Sequence, residues 1–158
     1  MVEQSSGRAA VHAGREGRSF WVMGDRVTVL AHLEEPDLHV VDVEVPPGGG
    51  VPPHRHASAE IMRVLDGVVD FAVETEKGFS EVRAGAGDVF TVPADAPHGY
   101  RNPGPGPARL MCILDGRMVR FFQDAGSPEA PPPGPPDAGE IARIMGIAAR
   151  HGIRLLGP

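Results

Sequence analysis

The sequence has one cysteine, no long apolar run and no cluster of basic residues. Cys112 is the single cysteine among 158 residues, so an internal disulfide is excluded. The N-terminal stretch lacks the apolar core of a secretory signal, and no apolar run approaches the length that spans a membrane. These absences predict a soluble, cytoplasmic protein that has no membrane partner.

Basic residues are also too few and too scattered to attract a polyanion. The chain carries 15 Lys and Arg against 21 Asp and Glu, a formal net charge of -6. Acidic proteins of this kind lack the electrostatic footprint of nucleic-acid binding. We therefore expect no nucleic-acid partner, and a small-molecule substrate instead.

Glycine and proline are abundant and punctuate short Val-rich runs. The 21 Gly and 17 Pro fall between these runs rather than inside them, as in proteins built from short strands and tight turns. Gly24-Asp25 and Asp66-Gly67 are typical of hairpin turns. The predicted strands cover residues 19–23, 26–32, 38–45, 61–65, 68–74, 79–83, 88–93, 98–101 and 108–114. This spacing, with no long helix between strands, predicts an all-β, antiparallel jelly-roll barrel.

The pattern changes after residue 116. We predict a mobile N-terminal segment over 1–18, a barrel over 19–116 and a C-terminal helical extension over 117–158, with a Pro-rich linker at 126–136. Asp137 and Glu140 have the spacing of a capping box, and Gly152 is placed to end the helix. We expect the apolar stripe of this helix to pack on the outside of the barrel.

Residues 48–67, GGGVPPHRHASAEIMRVLDG, carry the chemistry. His54, His56 and Glu60 are separated by even numbers of positions, so a regular extended chain would place them on one face. Two imidazoles and a carboxylate form most of a ligand set for a borderline divalent metal. His98 begins a predicted strand after a rigid Pro-containing turn and supplies a further ligand. The alternative is a jelly roll that has lost its metal.

At this point the sequence resembles the cupin superfamily. The first cupin motif is matched at every position by Gly48, His54, His56, Glu60 and Gly67, and the second by Gly87, Pro93, His98 and Asn102. Asp95 replaces an internal glycine of the second motif, and Asp tolerates the left-handed conformation of a turn. The resemblance implies a double-stranded β-helix barrel that binds a metal through His54, His56, Glu60 and His98.

The chain is also similar to small single-domain cupins of the quercetin-dioxygenase-like group, a similarity that extends to its C-terminal tail. Three imidazoles and one carboxylate leave open coordination positions on a six-coordinate ion, which favours Fe(II), Mn, Ni or Co over structural Zn. We expect Fe(II), with Mn, Ni, Co or Zn as the alternatives. We expect a metal-dependent dioxygenase, an oxidoreductase acting on a small enolic, phenolic or polyketide-like substrate. The alternatives are a non-redox isomerase, cyclase or decarboxylase, and a non-catalytic cupin that binds a small molecule.

Glu60 and Tyr100 are the predicted catalytic residues. Tyr100 lies two positions beyond His98 and shares its face of the strand, while Met62 stands in the same relation to Glu60. Met62 and Tyr100 are therefore the predicted pocket residues.

His12, His32, His39 and His151 are interpreted as structural, and Cys112 as a buried apolar residue. We also expect a homodimer in which N-terminal strands pair with the neighbouring sheet edge.

Overall fold

Runs in which apolar and polar residues alternate form the strands of the computed structural model, which describes residues 7–156. In these residues the order is β1 (Arg18–Val22), β2 (Asp25–Leu33), β3 (Leu38–Val45), β4 (Gly50–Arg55), β5 (Glu60–Asp66), β6 (Val68–Thr75), β7 (Gly78–Gly85), β8 (Val89–Val92), β9 (His98–Arg101), β10 (Ala108–Leu114), α1 (Gly116–Ala125), α2 (Ala138–Arg150) and β11 (Arg154–Leu155). A short 3₁₀ turn at Gly14–Glu16 precedes β1. It falls in the segment that we predicted to be mobile, and residues 1–6 of that segment lie outside the described range.

The strands form two antiparallel sheets. One sheet has six strands in the order β1-β2-β3-β10-β5-β8, and the other has five in the order β11-β4-β9-β6-β7. The inward side chains of both sheets make a continuous apolar core, with Val41, Val64 and Leu110 from the first sheet and Val69 and Phe71 from the second. The predicted all-β jelly-roll class is therefore confirmed.

Several strand predictions are confirmed, but one predicted turn is wrong by one residue. Strands β3, β9 and β10 have the predicted bounds. The first hairpin turns at Met23 and Gly24, which both have positive φ angles of 52° and 87°, and not at Gly24-Asp25. Asp25 is instead the first residue of β2 and pairs with Val22.

The prediction of a hairpin at Asp66-Gly67 is also wrong. Strand β5 belongs to the six-stranded sheet and β6 to the five-stranded sheet, so the chain turns a corner between sheets at Gly67. Gly67 has a φ of 78°, and a Cβ atom there would lie 2.9 Å from the carbonyl oxygen of Pro107. The glycine is required by this close approach rather than by a two-residue hairpin.

Both helices begin at an aspartate. Asp115 accepts a hydrogen bond from the Arg117 amide at the start of α1, and Asp137 accepts one from the Glu140 amide at the start of α2. These bonds satisfy amides that have no partner inside the helix. After α2 the chain forms β11, which the sequence did not predict and which pairs with β4. None of the helices in residues 7–156 combines the length and apolar character needed to cross a membrane.

Candidate metal centre

The three histidines of the predicted ligand set converge in the structure. His54 lies in β4 directly opposite His98 in β9, while His56 follows the end of β4. The ring centroids are 4.3 Å apart for His54 and His98, 4.9 Å for His56 and His98, and 5.3 Å for His54 and His56. All three side chains are buried, and one ring nitrogen from each lies within 4.8 Å of the others.

Glu60 reaches this cluster from the opposite sheet. It is the first residue of β5, so the chain crosses from one sheet to the other between His56 and Glu60 instead of continuing as one strand. The Glu60 carboxylate oxygens lie 3.6 Å from His56 Nε2 and 3.7 Å from His98 Nε2. The four residues therefore meet between the two sheets, although the single regular strand expected for the first three is absent.

Backbone carbonyls fix the orientation of each imidazole. The Nδ1–H groups of His54, His56 and His98 donate hydrogen bonds of 2.9, 2.9 and 2.8 Å to the carbonyl oxygens of residues 52, 58 and 96. A carbonyl only accepts, so a neutral imidazole in this position carries its proton on Nδ1 and its lone pair on Nε2. The Nε2 atoms of His56 and His98 are buried without a hydrogen-bond partner in residues 7–156.

Burial favours the neutral form of the His54 and His56 imidazoles. It lowers the pKa of His54 to about 4, assisted by the neighbouring imidazole of His98. Burial also lowers the pKa of His56, against the opposing effect of the Glu60 carboxylate. At neutral pH the Nε2 lone pairs of His54 and His56 are therefore free to bind a ligand rather than a proton.

This donor set fits a divalent metal ion. Imidazole lone pairs and a carboxylate are all electron donors, and burying them together without a cation or a proton between them is costly. The carbonyl partners at Nδ1 are the interactions that commonly orient metal-bound histidines. His54, His56, His98 and Glu60 are consequently the residues that would hold the ion, the set predicted from the sequence.

The cluster borders an apolar cavity of about 180 Å³. Met62 and Tyr100 both line it, together with Cys112, whose burial raises the pKa of the thiol well above its usual range. Both helices also contribute to the wall, through Met118, Phe121, Phe122, Ile141, Ile144, Met145 and Ala148. The apolar stripe of α2 thus faces the cavity, and the prediction that it packs on the outside of the barrel is wrong.

Asp25 is the polar residue of this cavity that sequence reasoning missed. It is 3% exposed, and its Oδ2 atom accepts a 2.5 Å hydrogen bond from the Tyr100 hydroxyl. Burial raises the pKa of Asp25 to about 7, although the hydrogen bond from Tyr100 opposes this shift. The sequence prediction placed Asp25 in the hairpin turn and so did not consider its side chain as buried. Extending the alternation of Val27 and Val29 back by two residues would have placed Asp25 on the inner face of β2.

The remaining histidines lie in other environments. His32 and His39 stack with ring centroids 3.9 Å apart, and the Nε2 atoms of both approach one carboxylate oxygen of Asp37, at 3.1 and 3.3 Å. His151 follows the last residue of α2 and pairs with Asp124 at 2.7 Å. A cation at that position is favoured by the helix dipole.

Comparison with known proteins agrees with this geometry. Residues 41–114 match the family model described as a cupin domain. The chain contains a cupin domain. The cupin is 30% identical over 118 residues to germin-like protein 5-1 of Oryza sativa subsp. japonica, a match covering 70% of the chain and 53% of that protein. It is 33% identical over 72 residues to acireductone dioxygenase of Rhodopseudomonas palustris, covering 46% and 39%.

Solved structures show the same fold. A RmlC-like cupin from Shewanella frigidimarina superposes with a TM-score of 0.58 at 21% identity, covering 72% of the chain and 94% of that structure. The first curated relatives are longer proteins, and the matched regions span 36% to 53% of their length. The similarity to the solved structure shows the fold.

Two residues of the cupin motif form hydrogen bonds that hold the backbone near the ligands. Asp95, which replaces the motif glycine, has a φ of 62° and donates its amide hydrogen to the carbonyl of His56. Asn102 uses its side-chain amide to hold the carbonyls of Val45 and Gly106. The prediction that Asp tolerates a left-handed turn conformation at position 95 is confirmed.

Proposed function

We propose that this cupin is a metal-dependent oxidoreductase of the dioxygenase type, and that Fe(II) is its metal. The substrate is a small, mostly apolar molecule with an enol or phenol oxygen. The observation that carries the proposal is the placement of the buried, unpartnered Nε2 atoms of His56 and His98 beside Glu60, in a cluster that borders an apolar cavity. An apolar cavity with a few convergent polar groups is the usual form of a small-molecule site.

The ion would supply Lewis acidity and, as Fe(II), electron transfer to dioxygen. The surrounding residues bind and orient the substrate. Apolar side chains from the sheets and helices line the cavity and would exclude water from the reacting oxygen. Dioxygen is the oxidant in this reaction, and both of its atoms enter the products.

Glu60 and Tyr100 are the residues proposed to move protons. Glu60 is buried beside two imidazoles and can accept the proton that an enol or phenol releases. The Tyr100 hydroxyl donates its proton in a hydrogen bond to Asp25. If Tyr100 gives a proton to the substrate, Asp25 is therefore the neighbouring group that can replace it. Burial and the Asp25 charge raise the pKa of Tyr100 well above its usual range, which keeps the phenol protonated.

The similarity to an acireductone dioxygenase supports the proposed reaction class. That relative carries the dioxygenase activity in its name, and it matches 46% of this chain at 33% identity. Membership of the quercetin-dioxygenase-like group within the cupins remains a prediction from the sequence.

A non-redox reaction is the second candidate, and the Asp25–Tyr100 pair favours it. A carboxyl group and a phenol that are joined by a hydrogen bond inside the cavity provide acid and base groups for an isomerase, cyclase or decarboxylase. Such an enzyme would work without oxygen and with zinc. A cupin that only binds a small molecule is the third outcome of the experiment below.

The test begins with elemental analysis of protein purified without added metal. We compare the wild-type chain with the double variant His56→Ala, His98→Ala and with the control His32→Ala, His39→Ala, which removes the two stacked histidines beside Asp37. Near-stoichiometric iron in the wild type and the control, and its loss from the first variant, is the expected result. An absence of metal from all proteins after reconstitution would overturn the proposal.

Oxygen consumption then separates the candidate functions. Iron-loaded protein is screened with small enolic and phenolic compounds in an oxygen electrode. Oxygen uptake that depends on both substrate and iron supports the dioxygenase. Turnover of the same compounds without oxygen, or with zinc, supports the non-redox reaction, and binding without turnover leaves the small-molecule-binding cupin.

We also propose a homodimer and a cytoplasmic location. Strand β1 lies at one edge of the six-stranded sheet, where main-chain groups are available to a neighbouring strand. Trp21 of β1 uses part of this edge to bond Ser127, so the contact must involve the rest of the strand. Light scattering tests the assembly, and a monomeric mass would exclude the dimer. Fractionation of the source cells tests the location.

A further inference from the structure

Asp25 interrupts the apolar pattern of its strand. The inward face of β2 begins with Asp25 and continues with Val27 and Val29, all of them buried. The alternation of the strand would be satisfied by another apolar residue at this position. A buried aspartate that conflicts with the local pattern carries a cost in stability, and such conflicts are concentrated at functional sites.

Only one of the two carboxyl oxygens of Asp25 has a hydrogen-bond partner in residues 7–156. Oδ2 accepts the Tyr100 hydroxyl at 2.5 Å, which holds the group in one orientation. Oδ1 is buried and makes no hydrogen bond to any of residues 7–156. Leaving a buried oxygen unpaired is costly, so a structural role alone does not account for this arrangement.

The unpaired oxygen belongs to a residue of the same cavity wall as the metal ligands. Asp25 lies on β2, whereas His54 and His98 come from β4 and β9 of the other sheet. Other residues of the same sheet that line the cavity are apolar and include Val22, Val27, Val43 and Leu110. A molecule in the cavity therefore meets two polar places, one at the metal ligands and one at Asp25.

We propose that Asp25 Oδ1 is the hydrogen-bonding site for a second oxygen of the substrate, and that Tyr100 positions the carboxyl group for it. The assignment of the first oxygen to the metal centre rests on the proposed function. The substrate class is then an apolar compound of one or two rings that carries two separate oxygen functions. Its size follows from the cavity of about 180 Å³, since an engineered cavity of about 150 Å³ holds benzene.

The two protonation states of Asp25 serve two kinds of oxygen. With Tyr100 donating to Oδ2, a protonated carboxyl group carries its proton on Oδ1 and donates it to a carbonyl or enolate oxygen. An ionised Asp25 accepts from a hydroxyl group instead. Burial raises the pKa of Asp25 to about 7, so both states are populated near neutral pH.

A binding experiment tests this site without turnover. Zinc-loaded protein is titrated with dihydroxynaphthalene isomers and with the matching naphthols, which lack the second hydroxyl, and binding is followed by naphthol fluorescence. For at least one isomer the wild type should bind the dihydroxy compound about tenfold more tightly, the size expected for one buried hydrogen bond to a carboxylate. Absence of a preference for every isomer would overturn the inference, and this result needs no variant.

The double variant Asp25→Leu, Tyr100→Phe removes the polar pair together and leaves no unpaired partner. It should lose the preference while its melting temperature equals or exceeds that of the wild type, because two buried polar groups are replaced by apolar ones. The control Met118→Leu changes an apolar part of the wall and should keep the preference. A lower melting temperature in the double variant, or a retained preference, would show that the pair is structural.

The same samples separate this inference from the proposed function. Their metal content is measured before each titration. Absence of the hydroxyl preference from zinc-loaded wild type contradicts the Asp25 site alone. Failure of the wild type to bind any divalent metal contradicts the proposed function, whereas the effect of the double variant on the hydroxyl preference can still be measured in metal-free protein.

Discussion

The Ser58 hydroxyl donates a 2.7 Å hydrogen bond to Asp115 Oδ1, across 57 positions of the chain. Ser58 also accepts the Nδ1–H of His56 through its carbonyl oxygen, while Asp115 caps the first turn of α1. The loop that holds His56 is thereby tied to the start of the helix that lines the cavity. Removing the Asp115 side chain should therefore affect both the His56 loop and the start of α1.

Asp115→Ala should lower the free energy of unfolding by about 2 kcal/mol, because it removes a helix cap and leaves the buried Ser58 hydroxyl unpaired. Asp137→Ala is the matched control, since it removes only the cap of α2 and should cost about 1 kcal/mol. Urea unfolding measures both variants. Equal losses would mean that the link to Ser58 contributes nothing.

Gly99→Ala should weaken the metal centre by separating two strands. A Cβ atom at position 99 would lie 2.8 Å from the carbonyl oxygen of Val51 in β4, so β9 must move away from the strand that carries His54. We expect a loss of about 1–3 kcal/mol in stability and weaker metal binding. Gly85→Ala, which meets no atom within 4 Å, is the control. Unchanged metal affinity in Gly99→Ala would contradict this account.

Metal removal should destabilise the wild type and leave the ligand variant unaffected. An ion present at a hundred times its dissociation constant stabilises the folded chain by about 2.7 kcal/mol. Chelation should therefore lower the melting temperature of the wild type, and added metal should restore it. The variant His56→Ala, His98→Ala should show no shift in either direction. A shift of equal size in that variant would place the bound metal elsewhere.

Stability should depend on pH through Asp25 in metal-free protein. Its pKa is about 7 in the folded chain against 3.8 when unfolded, so the folded state holds the proton more tightly and the contribution is lost as pH rises through 7. Relative to Asp25→Asn, the wild type should be roughly 2–3 kcal/mol more stable at about pH 5 than at about pH 8.

Other groups around Asp25 do not produce this difference. Burial raises the pKa values of Tyr100 and Cys112 well above their usual ranges, so both stay neutral over the pH interval. Glu60 and the imidazoles of the metal centre are present in both proteins, and their titration cancels in the comparison. Parallel pH profiles for wild type and Asp25→Asn would show that Asp25 ionises normally.

Local patterns predicted the strands and the ligand positions well. The alternation of apolar and polar residues and the Gly/Pro boundaries depend only on neighbouring residues. This is why β3, β9 and β10 have their predicted bounds. The proline turns before His54 and His98 are also local, and they place both imidazoles at the β4–β9 pairing.

The features that were missed depend on distant parts of the chain. Asp66-Gly67 has the composition of a hairpin, but β5 and β6 pair with different strands, a choice made by tertiary packing. The stripe of α2 is equally compatible with the outside of a sheet and with a cavity wall. Asp25 was misplaced because a shift of one residue in the turn reverses the face of the next side chain.

The division of the site between segments bears on how such proteins diverge. The residues that would hold the metal come from β4, β5 and β9 and the loop after β4, whereas α2 contributes apolar wall beyond a Pro-rich stretch. Substitutions at Ile141 or Met145 can reshape the space for a substrate without displacing an imidazole. Under the proposed function, natural selection can thus change which compound is accepted while the residues that would hold the metal are kept.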